Sequence, residues 1–322
     1  MADRRDDTPI RGEIRLASIR RVSHGLGVVN IPGLSADTEF RRDLTAYLLV
    51  LPPGAVFTHV TGARLLGWHL PKLPDQVPVF AAAAGDPPRP RRAGLVCSRL
   101  VGDRDPVFCN GLPVDQPTEI LLRAARDLAL LDLLIMLESA MARGHVDSDR
   151  MEEVLASRRP GVRMLREAWS RASGRSESPG ETILQQFHRV MGVAFEAQSK
   201  VFDAHGSLVG VVDLRVLGTP FVHEYDGAHH LAPAQQRTDL RRLRGISGAG
   251  LVRRGYVLDD LLNHPAAVMQ ELDRALGRPH DLRRLAVWRG LVDNSLYAPP
   301  GRARILNRWR RWNGLVDWNG AA

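Results

Sequence analysis

Glu224-Tyr225-Asp226-Gly227-Ala228-His229-His230 is the stretch on which the reading of this chain turns. It continues the apolar run Phe221-Val222-His223, which reads as a strand. Asp213 stands upstream in Val209-Gly-Val-Val-Asp-Leu-Arg-Val216, a second strand, and Glu181 opens a helix further back. Carboxylates repel one another, so a fold that crowds four of them needs positive charge between them. Mg²⁺ (or Mn²⁺) takes oxygen ligands of this kind. The expectation is a metal-dependent phosphodiesterase centre, with Asp213, Glu224 and Asp226 as metal ligands.

Each residue also has a plainer reading. Strand alternation puts Val209, Val211 and Asp213 on one face, so Asp213 marks either a cleft rim or a strand end turning to solvent. Glu224 and Asp226, two apart, point to the same side. Asp226-Gly227 also suits a turn capped by the aspartate. Ser178-Pro-Gly-Glu181 fits a capping box, in which the glutamate needs no metal. His230 is placed to act as general acid or base, in preference to His229. Gln235, Asp239 and Arg242 share a face of the following helix, where Arg242 can clamp a phosphate and Asp239 hold it.

Around these residues the pattern from Pro179 is α-β-β-β-α-β-α. A helix over Pro179–Met191 is stopped by Gly192, and strands follow over 197–203 and 208–216. A third strand covers 221–225, a helix 233–246, a strand 251–257 and a helix 265–276. Arg171-Ala-Ser-Gly-Arg-Ser-Glu-Ser-Pro-Gly180, small and polar, reads as a linker. Upstream, the spacing predicts a helix over 38–51, a short buried helix before Gly67, strands over 77–83 and 95–100, and one long helix over 118–143. Two shorter helices follow, over 151–155 and 162–170. The tail beyond Asp281 interleaves Trp288, Trp309, Trp312 and Trp318 with arginines. That pattern suits either a nucleic-acid grip or a helix packed through its indoles, and size favours packing.

The chain has 322 residues, room for two domains, with 44% apolar and 25% charged residues. Its net charge of +8 comes from arginine, since Lys72 and Lys200 are the only lysines. Arginine suits phosphate contacts, although GC-rich codon usage yields the same bias. Cys97 and Cys109 form neither a disulfide framework nor a zinc pair. No apolar run reaches the ~20 residues of a membrane span, and Met1–Asp7 lacks a signal peptide's apolar core. A cytoplasmic location and no membrane partner are expected.

Ser-Pro-x-Glu, Val-Asp-Leu, Glu-Tyr-Asp-Gly-x-x-His and Gln-x-x-x-Asp-x-x-Arg together resemble the Vsr-like branch of the PD-(D/E)XK nuclease superfamily. The resemblance covers roughly residues 175–280. It implies a restriction-endonuclease-like mixed sheet flanked by helices, with DNA as partner. It also implies catalysis by Glu181, Asp213, Glu224 and His230, and DNA contacts through Gln235, Asp239 and Arg242. Asp226 stands where the superfamily has lysine, which leaves His230 to supply the base. Pro53-Gly-Ala-Val-Phe-Thr-His-Val-Thr-Gly-Ala-Arg-Leu-Leu-Gly67 and Gly111-Leu-Pro-Val-Asp-Gln-Pro-Thr118 resemble actinobacterial AbiEi-like antitoxins of type IV toxin–antitoxin systems. This second resemblance implies a mainly helical N-terminal region and a cognate toxin as partner.

The expected organisation is α+β. An AbiEi-like region spans 1–172, a Vsr-like nuclease domain 173–280, and a basic Trp/Arg-rich extension 281–322. The expected function is metal-dependent DNA endonuclease, in repair or defence. The alternative is a non-catalytic DNA-binding antitoxin or transcriptional regulator.

Overall fold

The structure, a computed structural model, describes residues 8–13, 16–85, 89–100, 105–227 and 233–313. The chain forms two compact units. One combines the chain up to Leu128 with Val146–Leu165 and the residues from Arg302. The other combines Ala129–His145 with Arg166–Gly301.

The first unit opens with β1 (Ile10–Arg11), β2 (Ile19–Ser23) and β3 (Leu26–Val29), an antiparallel sheet of order β1-β3-β2. Helix α1 (Ala36–Leu48) follows, capped by the Ser35 hydroxyl on Thr38 N–H at 3.2 Å. Next come β4 (Val56–Phe57), α2 (His59–Leu65), β5 (Val79–Ala83), β6 (Leu95–Arg99), β7 (Val107–Cys109) and β8 (Leu112–Val114). These strands form a five-stranded sheet of order β6-β5-β4-β8-β7. Helix α3 (Pro117–Ala124) starts with proline in its first turn. The N-terminal region, expected to be mainly helical, carries two sheets beside its helices among its described residues. Gly25 and the pair Asn110-Gly111, all at positive φ, close hairpins whose strands are too short to show a period in sequence.

The single long helix expected over 118–143 is also corrected. It is α3 followed by α4 (Leu130–Ala142), with extended backbone at Ala129 (φ −77°, ψ 169°) between them. No glycine or proline marks the break. Nearly every residue of both helices is buried, so the apolar pattern ran on across the joint. Asp127, at the break, is drawn to His59 (3.3 Å) and to the Trp309 indole (3.3 Å), a tertiary demand that overrides helix propensity. Helices α5 (Ser148–Ala156) and α6 (Val162–Arg171) complete this stretch.

In the second unit α7 (Pro179–Val190) precedes β9 (Phe195–Phe202), β10 (Leu208–Val216) and β11 (Phe221–Tyr225). Helix α8 (Pro233–Gly248) then leads to β12 (Val252–Tyr256). The sheet is mixed, of order β12-β11-β10-β9: β9, β10 and β11 run antiparallel, and α8 carries the chain across to β12, parallel to β11. Helices α9 (Leu258–Leu262), α10 (Pro265–Ala275) and α11 (Leu282–Asn294) follow, and α12 (Pro299–Asn313) ends the described chain. The α-β-β-β-α-β-α order read from sequence is observed, with the short α9 added between β12 and α10.

Two clusters hold this sheet. Ile183, Leu184 and Phe187 of α7 pack with Leu214, Val216, Tyr256, Leu272 and Trp288. Ile246 of α8 packs with Val201, Val212 and Val222. Val212 and Leu214, two apart on one strand, belong to different clusters, as do Ala197 and Val201. Gln198 lies at the crossing, in the left-handed region at φ 51°. Since Val212 pairs with Ser199 and Leu214 with Ala197, Gln198 sits opposite Asp213.

The segment read as a linker is tied down. The buried Glu138 carboxylate accepts N–H bonds from Ser173 (2.7 Å) and Arg175 (3.0 Å), with Gly174 at φ 68° between them. Trp288 is buried, its indole N–H donating to Leu261 O at 2.7 Å. No helix among the described residues is long and apolar enough to cross a membrane.

Candidate active site

Helix α7 delivers Glu181. Ser178 caps the helix, its Oγ accepting Glu181 N–H at 3.1 Å, with proline at the first helical position. Glu181 Oε2 accepts the Glu177 N–H (2.7 Å) and the Gln198 side-chain amide (3.0 Å). The cap read from sequence is therefore present, yet the carboxylate reaches across to the sheet. Gly180 permits this approach: a Cβ there would lie 2.2 Å from the Tyr225 ring on β11.

Strand β10 delivers Asp213, half-buried, whose Oδ2 accepts Tyr225 N–H at 2.8 Å. Burial, with Glu181 and Glu224 close by, pushes the Asp213 carboxyl up to about 7, against the lowering pull of the Tyr225 N–H and Arg242. Burial also raises Glu181 above its ordinary value, despite its hydrogen bonds. Among the described residues, Asp213 Oδ1 and Glu181 Oε1 accept no hydrogen bond. Carboxylate oxygens are hard ligands of the kind Mg²⁺ and Ca²⁺ take.

Strand β11 delivers Glu224, which is buried and fully engaged. Oε1 pairs with Arg242 of α8 and Oε2 with Arg253 of β12. Arg253 also pairs with Asp226. Asp226 lies over Gly255, where a Cβ would fall 1.7 Å from its Oδ2. Arg242 was expected to clamp a phosphate; instead it points inward, to Glu224 and the Val211 carbonyl. Gln235 and Asp239 belong to α8, but their side chains lie outside the described residues, as do His229 and His230.

Thus Glu181, Asp213 and Glu224 converge from a helix and two strands, as their sequence positions suggested. Four carboxylates (Glu181, Asp213, Glu224, Asp226) face two guanidiniums, leaving a formal charge of −2. Asp213, which burial and the neighbouring carboxylates keep protonated to about 7, brings that charge to −1 below this pH. Among the described residues no group of three His, Cys, Asp or Glu side chains is arranged to hold a metal by itself.

Sequence reasoning missed Arg253 and Gln198. Arg253 had a signal: Val252-Arg-Arg-Gly-Tyr256 sends one arginine to each side of a short strand. Its neighbour Arg254 instead lies 3.8 Å over the Phe221 ring and pairs with Glu271 at 2.8 Å. Gln198 had none, because positive φ is the habit of glycine and asparagine.

Behind β11 lies a second group that the sequence did not single out. His188 and His223 are buried with Nε2 and Nδ1 2.8 Å apart. His188 Nδ1 lies 2.8 Å from Leu184 O, so it carries the proton and Nε2 accepts from His223. Burial pushes His188 down to about 4, and burial with the neighbouring His188 and Arg254 pushes His223 down to about 2. The pair is neutral and fastens α7 to β11 through a single hydrogen bond.

Comparison of the chain with protein-family models, curated proteins and solved structures gave no match.

Proposed function

We propose that this protein is a Mg²⁺-dependent DNA endonuclease with a Vsr-like PD-(D/E)XK centre, hydrolysing phosphodiester bonds in repair or defence. The observation that carries the reading is the crowding of Glu181 and Glu224 about Asp213, whose carboxyl burial and these neighbours push up to about 7. A mixed sheet with Glu181 on the leading helix and Asp213 and Glu224 on adjacent strands supports it. Asp213 Oδ1 and Glu181 Oε1 would hold Mg²⁺, which when bound neutralises phosphate charge and eases deprotonation of water.

The chain's own residues do the rest. Tyr225 N–H and Gln198 fix one oxygen of each ligand, leaving the other without a hydrogen bond among the described residues. Arg242 and Arg253 neutralise Glu224 and hold it in place beside Asp213. His230, a few residues past β11, is the general acid or base in this reading. Gln235 and Asp239, in the α8 sequence, are the DNA-contacting residues in this reading.

The test is cleavage of supercoiled, linear and mismatched DNA with Mg²⁺ or Mn²⁺. Asp213→Asn should lower the rate by orders of magnitude while leaving DNA binding intact. Equal cleavage by both proteins, or none by either, removes the nuclease reading.

One observation favours a second reading, a non-catalytic DNA-binding regulator of antitoxin type. Both Glu224 oxygens are already held by arginines, so part of the site is neutralised without a metal. That reading expects no cleavage by the unmodified protein on any DNA form.

A further inference from the structure

Helix α12 carries five arginines and no acidic residue. Ile305 and Trp309 are buried and fix the helix to the first unit, Trp309 lying edge-on to Phe80 at 5.5 Å. Arg304, Arg308 and Arg311 recur at i, i+4, i+7 and so form one row. Trp312 borders that row and is 40% exposed. An exposed indole beside cations offers a π-face and an apolar body to a ligand that carries both rings and negative charge.

The indole lines two clefts. One is lined by Arg308 and Arg311, the other by His59, Phe80, Arg126 and Asp127 among others. Asp127 is already engaged by Arg308, by His59 and by the Trp309 N–H. Among the described residues no carboxylate pairs with Arg126 or Arg311, and Arg311 meets only the Asn307 carbonyl at 3.3 Å. Two guanidiniums without acid partners among the described residues therefore line the clefts that the exposed Trp312 shares.

We propose that this part of the first unit binds single-stranded nucleic acid. A base stacks on the Trp312 indole, and the phosphates on either side are held by Arg311 and Arg126. The guanidinium fork matches phosphate oxygens, and every base offers a π-face, so recognition is tolerant of sequence. Single strands are preferred to duplex because the indole needs an unstacked base. A bilayer surface is the other polyanion that attracts such a helix, but it requires a continuous apolar stripe. Trp312 is the sole large apolar side chain exposed on α12 among its described residues. The proposal is independent of the metal reading at Asp213.

The test is fluorescence anisotropy of the full chain with a short labelled oligothymidylate, the matching duplex, and vesicles containing phosphatidylserine. Trp312→Ala should weaken oligothymidylate binding roughly 5- to 150-fold, the loss expected for one base–aromatic stack. Trp312→Phe, which keeps a π-face, should recover most of it. Arg311→Ala and Arg126→Ala should each lower the slope of log affinity against log salt by about 0.7. Far-ultraviolet dichroism checks that each variant stays folded. Parental affinity in Trp312→Ala, no recovery in Trp312→Phe, or vesicle binding without oligonucleotide binding would overturn the proposal.

Discussion

Asp213→Asn should make the metal-free protein more stable at pH 8 while leaving it unchanged near pH 4. The carboxyl titrates at about 7 in the folded chain against an ordinary value of 3.8. Between those values the folded state keeps a proton that the unfolded state has lost. Stability therefore falls as pH rises through this window, by ~1.4 kcal/mol per pH unit for one group. Across about three units the cost reaches ~4 kcal/mol, fully expressed above pH 7. The amide is never charged, and its oxygen can still accept Tyr225 N–H while its NH₂ faces Glu181 and Glu224. At ~2–4 °C per kcal/mol, the midpoint at pH 8 should rise by about 8–16 °C at most. Thermal unfolding followed by dichroism in chelator, at pH 4 and pH 8, measures it. Mg²⁺ should narrow the difference at pH 8, because the unmodified protein alone gains a ligand. A variant no more stable than the parent at pH 8 would refute the crowded-carboxylate account.

Two further outcomes follow from the same geometry. The neutral His188–His223 pair takes up no proton until pH approaches about 4, whereas unfolded histidines protonate near 6.5, so stability must fall as pH drops below 6.5. The two contribute ~2.7 kcal/mol per pH unit, partly offset by the opposite slope from Asp213. The double variant His188→Leu, His223→Phe should lose that acid-side slope, and an unchanged slope by denaturant titration would count against the tautomer assignment. Gly180→Ala places a Cβ 2.2 Å from the Tyr225 ring. It should cost ~1–3 kcal/mol and reduce cleavage at temperatures where the variant remains folded. Parental activity there would mean that the approach of α7 to β11 does not position Glu181.

The second unit was legible because its elements obey local rules. Ser178-Pro-Gly-Glu is a helix start whether or not Glu181 has another task, and Gly192 ends the helix where the apolar stripe stops. The convergence of Glu181, Asp213 and Glu224 was legible too, since β10 and β11 are joined by a short turn that makes them neighbours. What stayed hidden depends on partners distant in sequence. Arg242 reads as an outward phosphate clamp until Glu224 is seen beneath it, 18 residues away. The break at Ala125–Ala129 has no local breaker and follows from Asp127's partners. The polar run before Pro179 looked like a linker because the anion that orders it, Glu138, lies on another helix. In the first unit β5 and β6 were legible, but the other strands escaped because two- to five-residue strands carry too little alternation to register.

The most direct measurement is anomalous diffraction from crystals soaked in Mn²⁺. The account predicts one manganese peak in contact with Asp213 and Glu181, with Glu224 still held by Arg242 and Arg253, and no peak in Asp213→Asn crystals. No peak at Asp213 in the unmodified protein, at Mn²⁺ concentrations that would support cleavage, would contradict it.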